Sequence, residues 1–194
     1  ASFSVEAWIR PDCGGVVASK EGLFNLVIGG IGAPGPAFFS VTTHTKKGDA
    51  RVISVSSAVT TDGSNYNGIL YPNKSESFIA NNTTMSQDTR ELLHVVGLFT
   101  QSRLYLLING EVVATTKVSA GSLCHPTPSD LYIGGKGGEF RGHIEALHWR
   151  SNVDVDNIFP HPFVKDSSTI GLWRFEEPIE VDDNEFYLKS GVNA

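Results

Sequence analysis

The stretch that most constrains this chain is Leu92–Thr116, LLHVVGLFTQSRLYLLINGEVVATT. Two apolar runs, Leu92–Phe99 and Leu104–Ile108, flank a polar break at Thr100–Arg103, and Asn109-Gly110 separates the second run from Val112–Ala114. A two-residue type I′ turn needs φ > 0 at both central positions. Asn and Gly adopt that conformation at least steric cost, so Asn-Gly between strand-like runs is a strong hairpin signal. The spacing predicts a three-strand antiparallel meander, which says how the chain folds and carries no chemistry of its own.

The rest of the chain suits a meander-built protein. At 194 residues it has the length of one all-β domain. Charged residues make up 19%, and 20 Gly and 9 Pro punctuate short runs rich in Val, Ser and Thr. That composition is a poor match for a helical bundle or a disordered chain. The net charge is −6, and Lys46-Lys47 is the one lysine pair. Nucleic-acid binding needs clustered cations for phosphate contacts, so it is not expected. No apolar run approaches the ~20 residues of a membrane helix, so membrane insertion is not expected. No charged n-region followed by an apolar h-region opens the chain. It starts directly in the strand-like SFSVEAWI, which suggests a module of a larger or processed protein. Cys13 and Cys124 are too few for a disulfide framework. Pairing would need Cα atoms within about 7 Å. The sequence gives no reason for such adjacency, so free thiols are expected. No Cys/His pair has zinc spacing.

Period-2 alternation marks most other strands. Phe3, Val5, Ala7 and Ile9 alternate with Ser2, Ser4, Glu6 and Trp8 in a strand that Pro11 should end, followed by a turn at Cys13–Gly15. Val16–Ser19 and Leu23–Ile28 form a predicted hairpin around Lys20-Glu21-Gly22. Gly29–Pro36, GGIGAPGP, is predicted as a loop, and Ala37–Thr43 and Arg51–Val59 as strands. Thr60–Gly68 is a polar loop, Ser77–Ala80 a candidate strand, and Ser119–Ser129 a proline-fixed loop. Asp130–Gly134 and Arg141–Trp149 are strands flanking the flexible loop Gly134–Phe140, with Ile144, Ala146 and Leu147 as candidate core. Val153–Phe159 suits one helical turn, with Asp154 and Asp156 at its N-terminus. Thr169–Phe175 is a further strand, Glu176–Glu185 is acidic and irregular, and Phe186–Leu188 is a last short strand. Many short strands with regular turn signals imply a two-sheet antiparallel β-sandwich.

Three segments carry a family resemblance. Ser2–Pro11 (SFSVEAWIRP), Leu92–Val113 (LLHVVGLFTQSRLYLLINGEVV) and Asp130–Ser151 (DLYIGGKGGEFRGHIEALHWRS) together resemble, in order, laminin-G-like jelly-roll domains of the concanavalin A-like lectin/glucanase superfamily. There are departures. Leu93 stands where the family has Trp before its His-Val pair, and Ile144-Glu145-Ala146-Leu147 replaces Ile-Asp-Glu-Val. Family members also carry an apolar strand and acidic loop ahead of the Val-Glu-Ala-Trp strand. Gly171–Phe175 (GLWRF) resembles that opening piece, placed here near the C-terminus. The expectation is one concanavalin A-like jelly roll over residues 1–194. In it, 168–194 either complete the sheet edge beside the first strand in shifted order or begin a following module.

The resemblance implies a binding module: many members bind glycans or protein surfaces, and some bind calcium in rim loops. Asp62, Asn65 and Asn67 offer hard oxygens in one loop, the ligand type calcium takes in sets of six to eight. With Tyr66 and Tyr71 as stacking platforms, the same loop is a candidate glycan site, and Glu139 is a weaker candidate from a neighbouring loop. A plain Asx-rich turn explains the same residues. Asn73, Asn81 and Asn82 sit in Asn-x-Ser/Thr triplets, relevant to a eukaryotic secreted protein. Glucanases of the wider fold carry Glu-x-Asp-x-x-Glu, a spacing found at Glu180, Asp182 and Glu185. Glycoside cleavage needs such a carboxylate pair on one face, but EVDDNEF lacks strand alternation and is expected to be a solvated acidic loop. His94 is expected to be a core or sheet-face histidine. His143 and His148, at i and i+5 on a strand, are expected on opposite faces. No nucleophile elbow or phosphate loop occurs. The expected function is non-enzymatic recognition of a glycan or neighbouring protein, by a secreted, cell-surface or virion protein that forms part of a larger protein or assembly. The alternatives are a glycoside hydrolase or lyase of the same fold, and a structural assembly module of a phage tail or capsid.

Overall fold

The computed structural model describes residues 2–30, 33–44, 48–57, 92–119, 124, 128–136 and 139–175, with backbone alone at 12, 13, 30, 33–35, 179–181 and 185–187. The chain is built on β1 (Phe3–Lys20), an 18-residue strand shared by two sheets. Its first half runs between β5 (Leu93–Phe99) and β9 (Arg141–Ser151). From β5 the first sheet continues through β6 (Arg103–Ile108) and β7 (Glu111–Lys117), and from β9 through β10 (Thr169–Arg174). The order is β7-β6-β5-β1-β9-β10. The second half of β1 pairs with β2 (Phe24–Gly30) and β8 (Leu131–Ile133). With β3 (Ala33–His44) and β4 (Ala50–Ser56), the second sheet runs β4-β3-β2-β1-β8. All these pairings are antiparallel, and the two sheets pack as a β-sandwich.

Pro11 does not end the strand. It pairs with Gly142, and the ladder slips between Pro11 and Gly14. A proline has no N–H to give to a ladder and is tolerated at a bulge. The irregularity lets the strand bend from one sheet into the other where a turn is predicted. GGIGAPGP is likewise mostly strand: β2 reaches Gly30, β3 starts at Ala33, and these two residues pair. The acidic tail, predicted irregular, contains β11 (Ile179–Val181), which pairs with β12 (Glu185–Tyr187) in a hairpin of its own. The predicted meander is present as β5-β6-β7, with Asn109 at φ 51° and Gly110 at φ 84° in its two-residue turn. β10 is a strand as predicted. It lies beside β9, one strand away from β1, so it extends the sheet edge without touching the first strand.

Between the sheets lies an aromatic core. Phe3 meets Phe99, Phe24 and Phe39 at centroid distances of 5.6, 6.0 and 6.4 Å. Inward-facing Val5, Ala7, Ile9, Leu26, Leu104 and Leu106 fill the space around these rings.

The outer face of the first sheet is covered as well. Residues 152–168 cross it as a strap, with a single 3-10 turn at Val155–Asn157 capped by the Asp154 side chain, which accepts from Val155 N–H at 2.7 Å. Val153 and Ile158 of the strap pack on Val96, Leu98 and Leu107. Phe163 seats among His148, His94 and Trp8, at 5.2, 5.7 and 6.5 Å. Among the described residues this turn is the one helical element, and no helix is long and apolar enough to cross a membrane.

Candidate functional site

The covered outer face holds a row of polar residues. Ser4, Glu6 and Trp8 alternate with the inward-facing core positions of β1, so they point under the strap. Glu6 is 1% exposed. An isolated carboxylate at that depth would be very costly, and this one is compensated on several sides. Ser4 Oγ donates to Glu6 Oε1 at 2.7 Å, Arg150 NH1 lies 3.3 Å from the same oxygen, and His94 Nε2 lies 3.5 Å from Oε2. Burial pushes the Glu6 carboxyl up, but His94, Ser4 and Arg150 together outweigh it and hold the group below its ordinary range.

Arg150 links this cluster to the strap. Its Nε donates to Ser168 Oγ at 3.0 Å and its NH2 lies 3.4 Å from Asp166 Oδ2. Asp166 Oδ1 accepts from Ser168 Oγ at 2.6 Å, Ser168 N–H at 2.8 Å and Thr169 Oγ1 at 3.1 Å. The Ser168 hydroxyl in the main, with the Thr169 hydroxyl and Arg150, lowers Asp166 to about 2. His148, beside Phe163, is pushed below the ordinary histidine value by burial. Its Nε2 is 2.9 Å from Thr169 Oγ1.

Beside this network opens a groove of about 870 Å³. Its floor follows from the ladder. Trp8 lies opposite Ala146 in β9, and Ala146 lies opposite Arg174 in β10. The small side chain of Ala146 leaves a depression between two large ones. Trp8 is fixed by a stack on His94, at 5.0 Å and 29°, and by its Nε1–H, which donates to His161 O at 3.1 Å. Phe163 and Phe175 add aromatic wall, and Arg10, His143, Glu145 and Arg174 add polar groups. Arg174 NH2 donates to Phe163 O at 2.5 Å, and Phe175 N–H donates to Glu145 O at 2.9 Å. Strap and edge strand therefore close the groove on two sides.

His143 lines the groove because the ladder slips between Trp8 and Ile9, leaving Glu145 as an extra residue in β9. A bulge inverts the side-chain parity beyond it. His143 and His148 consequently share the outer face, contrary to the opposite-face expectation from i, i+5 spacing. His94 is the buried sheet-face histidine the sequence predicts.

Asp62, Asn65, Tyr66, Asn67 and Tyr71 lie outside the described residues, as do Asn73, Asn81, Asn82, Asp182 and the candidate strand Ser77–Ala80. Glu139 is exposed, bridges Val16, and does not line the groove. Its loop, predicted flexible, is closed by Phe140 N–H donating to Gly134 O at 3.0 Å. Lys136 in that loop pairs with Glu21 at 3.2 Å and lies 4.4 Å above the Tyr132 ring. Cys124 carries a free thiol, which burial pushes up to about 11. Among the described residues no group of three His, Cys, Asp or Glu side chains is placed to hold a metal ion. The groove residues were missed in the sequence because Trp8, Arg10 and Glu145 look like the solvated side of amphipathic strands. The available signal was Trp8 itself, a large ring on the polar face of the opening strand.

Comparison with known proteins gives the following. A family model, Laminin_G_3 of the concanavalin A-like lectin/glucanases superfamily, matches residues 1–153. No curated protein matches the chain. Among solved structures it is similar to a putative carbohydrate binding protein from Bacteroides ovatus, at 19% identity over 77% of this chain and 37% of that one, TM-score 0.46. It is similar to the binding domain of botulinum neurotoxin DC in complex with SialylT, at 13% identity over 80% and 34%, TM-score 0.44. A third is the Ruminococcus gnavus IT-sialidase CBM40 bound to alpha2,6 sialyllactose, at 13% identity over 74% and 69%, TM-score 0.40. The chain spans about a third of the length of the first two, 37% and 34%.

Proposed function

The chain belongs to the concanavalin A-like lectin/glucanase superfamily, and from that premise we propose that it is a non-enzymatic glycan-recognition module whose ligand sits in the groove between Trp8 and Arg174. The observation that carries this reading is the composition of the groove around Ala146. Aromatic rings with exposed area (Trp8, Phe175) stand beside hydrogen-bonding groups on fixed strands (Arg10, His143, Glu145). A sugar ring presents a flat C–H face to an aromatic and hydroxyls to planar polar groups, so both halves of its surface find partners. Strand-mounted side chains hold their geometry better than loop-mounted ones, which favours a preformed site.

Hydrolysis is the less supported reading. Glycoside cleavage uses two carboxyl groups roughly 5–9.5 Å apart. Among the described lining residues Glu145 is the one carboxylate, and Glu6 is committed beneath the strap. A secreted, cell-surface or virion setting for the parent protein fits glycan recognition and is proposed with it.

A glycan array probed with the full chain tests the proposal, followed by calorimetric titration of a hit against Phe175→Ala. Phe175 is 41% exposed, so its removal should leave the fold intact. Loss of its ring from a stacking position should weaken binding about tenfold, near 1.4 kcal/mol. Uniform silence on the array at high protein density, or a hit that Phe175→Ala leaves unchanged, would move the ligand elsewhere or dismiss it.

A further inference from the structure

We infer that the groove is selective for saccharides bearing an anionic group, a carboxylate or a sulfate, bound between Arg10 and Arg174. This inference rests on the glycan reading of the groove and adds the class of glycan. The chain as a whole carries a net charge of −6, yet the groove collects two arginines, with His143 and His161 beside them, against one carboxylate. No ion pair holds either arginine among the described residues. Arg10, half-buried opposite His143, has no charged partner, and Arg174 spends one N–H on the Phe163 carbonyl. Arg150, by contrast, is paired with two carboxylates, Glu6 and Asp166. Two guanidinium groups that form no ion pair among the described residues, in a part-closed groove, suit an incoming anion.

The geometry suits one sugar unit. Arg10 stands on β1 and Arg174 on β10, the two strands flanking β9. Arg174 lies across Ala146 from Trp8, and Arg10 follows two residues along β1, opposite His143. Two strand spacings across and two residues along put their backbones about 12 Å apart, with Ala146 and His143 between them. A guanidinium presents its N–H groups as a planar fork that matches a carboxylate or sulfate with two parallel hydrogen bonds. Trp8 and Phe175 remain for the ring, and Glu145 is an acceptor for hydroxyls.

The test titrates the full chain with trigalacturonate, its fully methyl-esterified form and a sulfated galactan oligomer, at low and high salt. The free acid or the sulfated oligomer should bind about tenfold or more tighter than the ester, and this preference should shrink with salt. Which anion binds identifies the source of the charge. Arg10→Gln should abolish the preference while its melting temperature stays close to the parent value. Arg10→Lys, which keeps the charge but loses the fork, should restore only part of it. If ester and acid bind equally and Arg10→Gln changes neither, the inference is overturned while the glycan reading stands. If the three probes are silent and an array shows only uncharged hits, the inference is again overturned alone. Silence of acidic and uncharged glycans alike removes both readings.

Discussion

Asn109 and His94 clamp each other across the meander. His94 N–H donates to Asn109 Oδ1 at 2.9 Å, and Asn109 N–H donates to the His94 carbonyl at 2.8 Å. The turn residue that sets the register of β6 and β7 therefore also holds the backbone of the histidine on which Trp8 stacks. Asn109 has the required positive φ and the side-chain oxygen; alanine has neither advantage. Asn109→Ala should cost about 1–2 kcal/mol through strain and one lost hydrogen bond. Urea unfolding would show it, and the indole resonance of Trp8 should shift in the folded state. An unchanged midpoint would mean that the clamp contributes nothing.

Gly110 follows at φ 84°, and a Cβ there would lie 2.9 Å from Pro160 Cδ of the strap. Gly110→Val therefore combines a β-branched residue in the left-handed region with a clash that lifts the middle of the strap. The expected loss is about 2–4 kcal/mol, read as a melting temperature lower by roughly 4–16 °C for a chain of this size. A variant that melts like the parent would show that the turn can be rebuilt around valine.

Glu6 holds together residues from three strands, His94, Ser4 and Arg150. Glu6→Gln keeps the shape and removes the charge, leaving Arg150 paired with the exposed Asp166 alone. Breaking a buried pair from one side costs about 3–5 kcal/mol. The remaining Asp166 contact should bring this variant to the lower end of that range. A double-mutant cycle with Arg150→Met measures the coupling directly, and additive losses would show that the two residues are independent.

Acid should weaken the fold in two stages. Burial lowers the His148 pKa below its ordinary value, so below about pH 6.5 the unfolded chain binds more protons than the folded one and stability falls as pH drops through that value. Asp166, lowered to about 2, and Glu6, also lowered, contribute stability that is present above the unfolded carboxylate range near pH 4. That contribution is lost as pH falls toward 2 for Asp166. Melting temperature against pH should show both slopes, and His148→Gln should remove only the first. A flat profile from pH 7 to 5 in the parent would refute the histidine contribution.

The order of strands was legible in the sequence because alternation and turn residues record local geometry. The meander, the Lys20–Phe24 hairpin, β9 and β10 all follow from that signal. What was not legible depends on contacts between distant segments. Alternation cannot show that a strap will cover the polar side of β1, so Glu6 and Trp8 look solvated until Phe163 is seen packed over them. Nor can it show a bulge, which is defined by two strands together. The extra residue at Glu145 reverses the face of His143 and so brings its imidazole to the groove. Pro11 misled for the same reason. Its missing N–H matters only where a neighbour would have accepted it, and the ladder slips at that point. The candidate ligand loop around Asp62 remains a sequence expectation.

The tail strand β10 is an integral edge of the first sheet by its contacts. Trp173 packs against the inter-sheet core, Arg174 donates to Phe163 O, and Ser168 and Thr169 hold Asp166. Deleting residues 168–194 should remove all of these together. Truncating a core tryptophan alone costs about 3–5 kcal/mol, so the deletion should lower the melting temperature by at least about 6 °C. A deletion beginning at residue 188 leaves these contacts in place and serves as the reference truncation, expected to melt above the longer one. Equal melting of both truncations and the parent would mean that β10 belongs to a following module.

Gly97 makes a last test of how the two sheets meet. It faces inward on β5 among valine and phenylalanine, and a Cβ there would lie 2.2 Å from Phe39 Cδ2 of the second sheet. The glycine is needed because the Phe39 ring, fully buried, rests directly on the β5 backbone. Gly97→Ala should force the sheets apart or the ring out of its rotamer, at about 1–3 kcal/mol. Phe39→Ala should cost about 3–5 kcal/mol through the cavity it leaves. The double variant puts the new methyl into that cavity, so its loss should be smaller than the sum of the two single losses by 1 kcal/mol or more. Strict additivity would mean that Gly97 and Phe39 do not touch, and that the sheets pack differently at their centre.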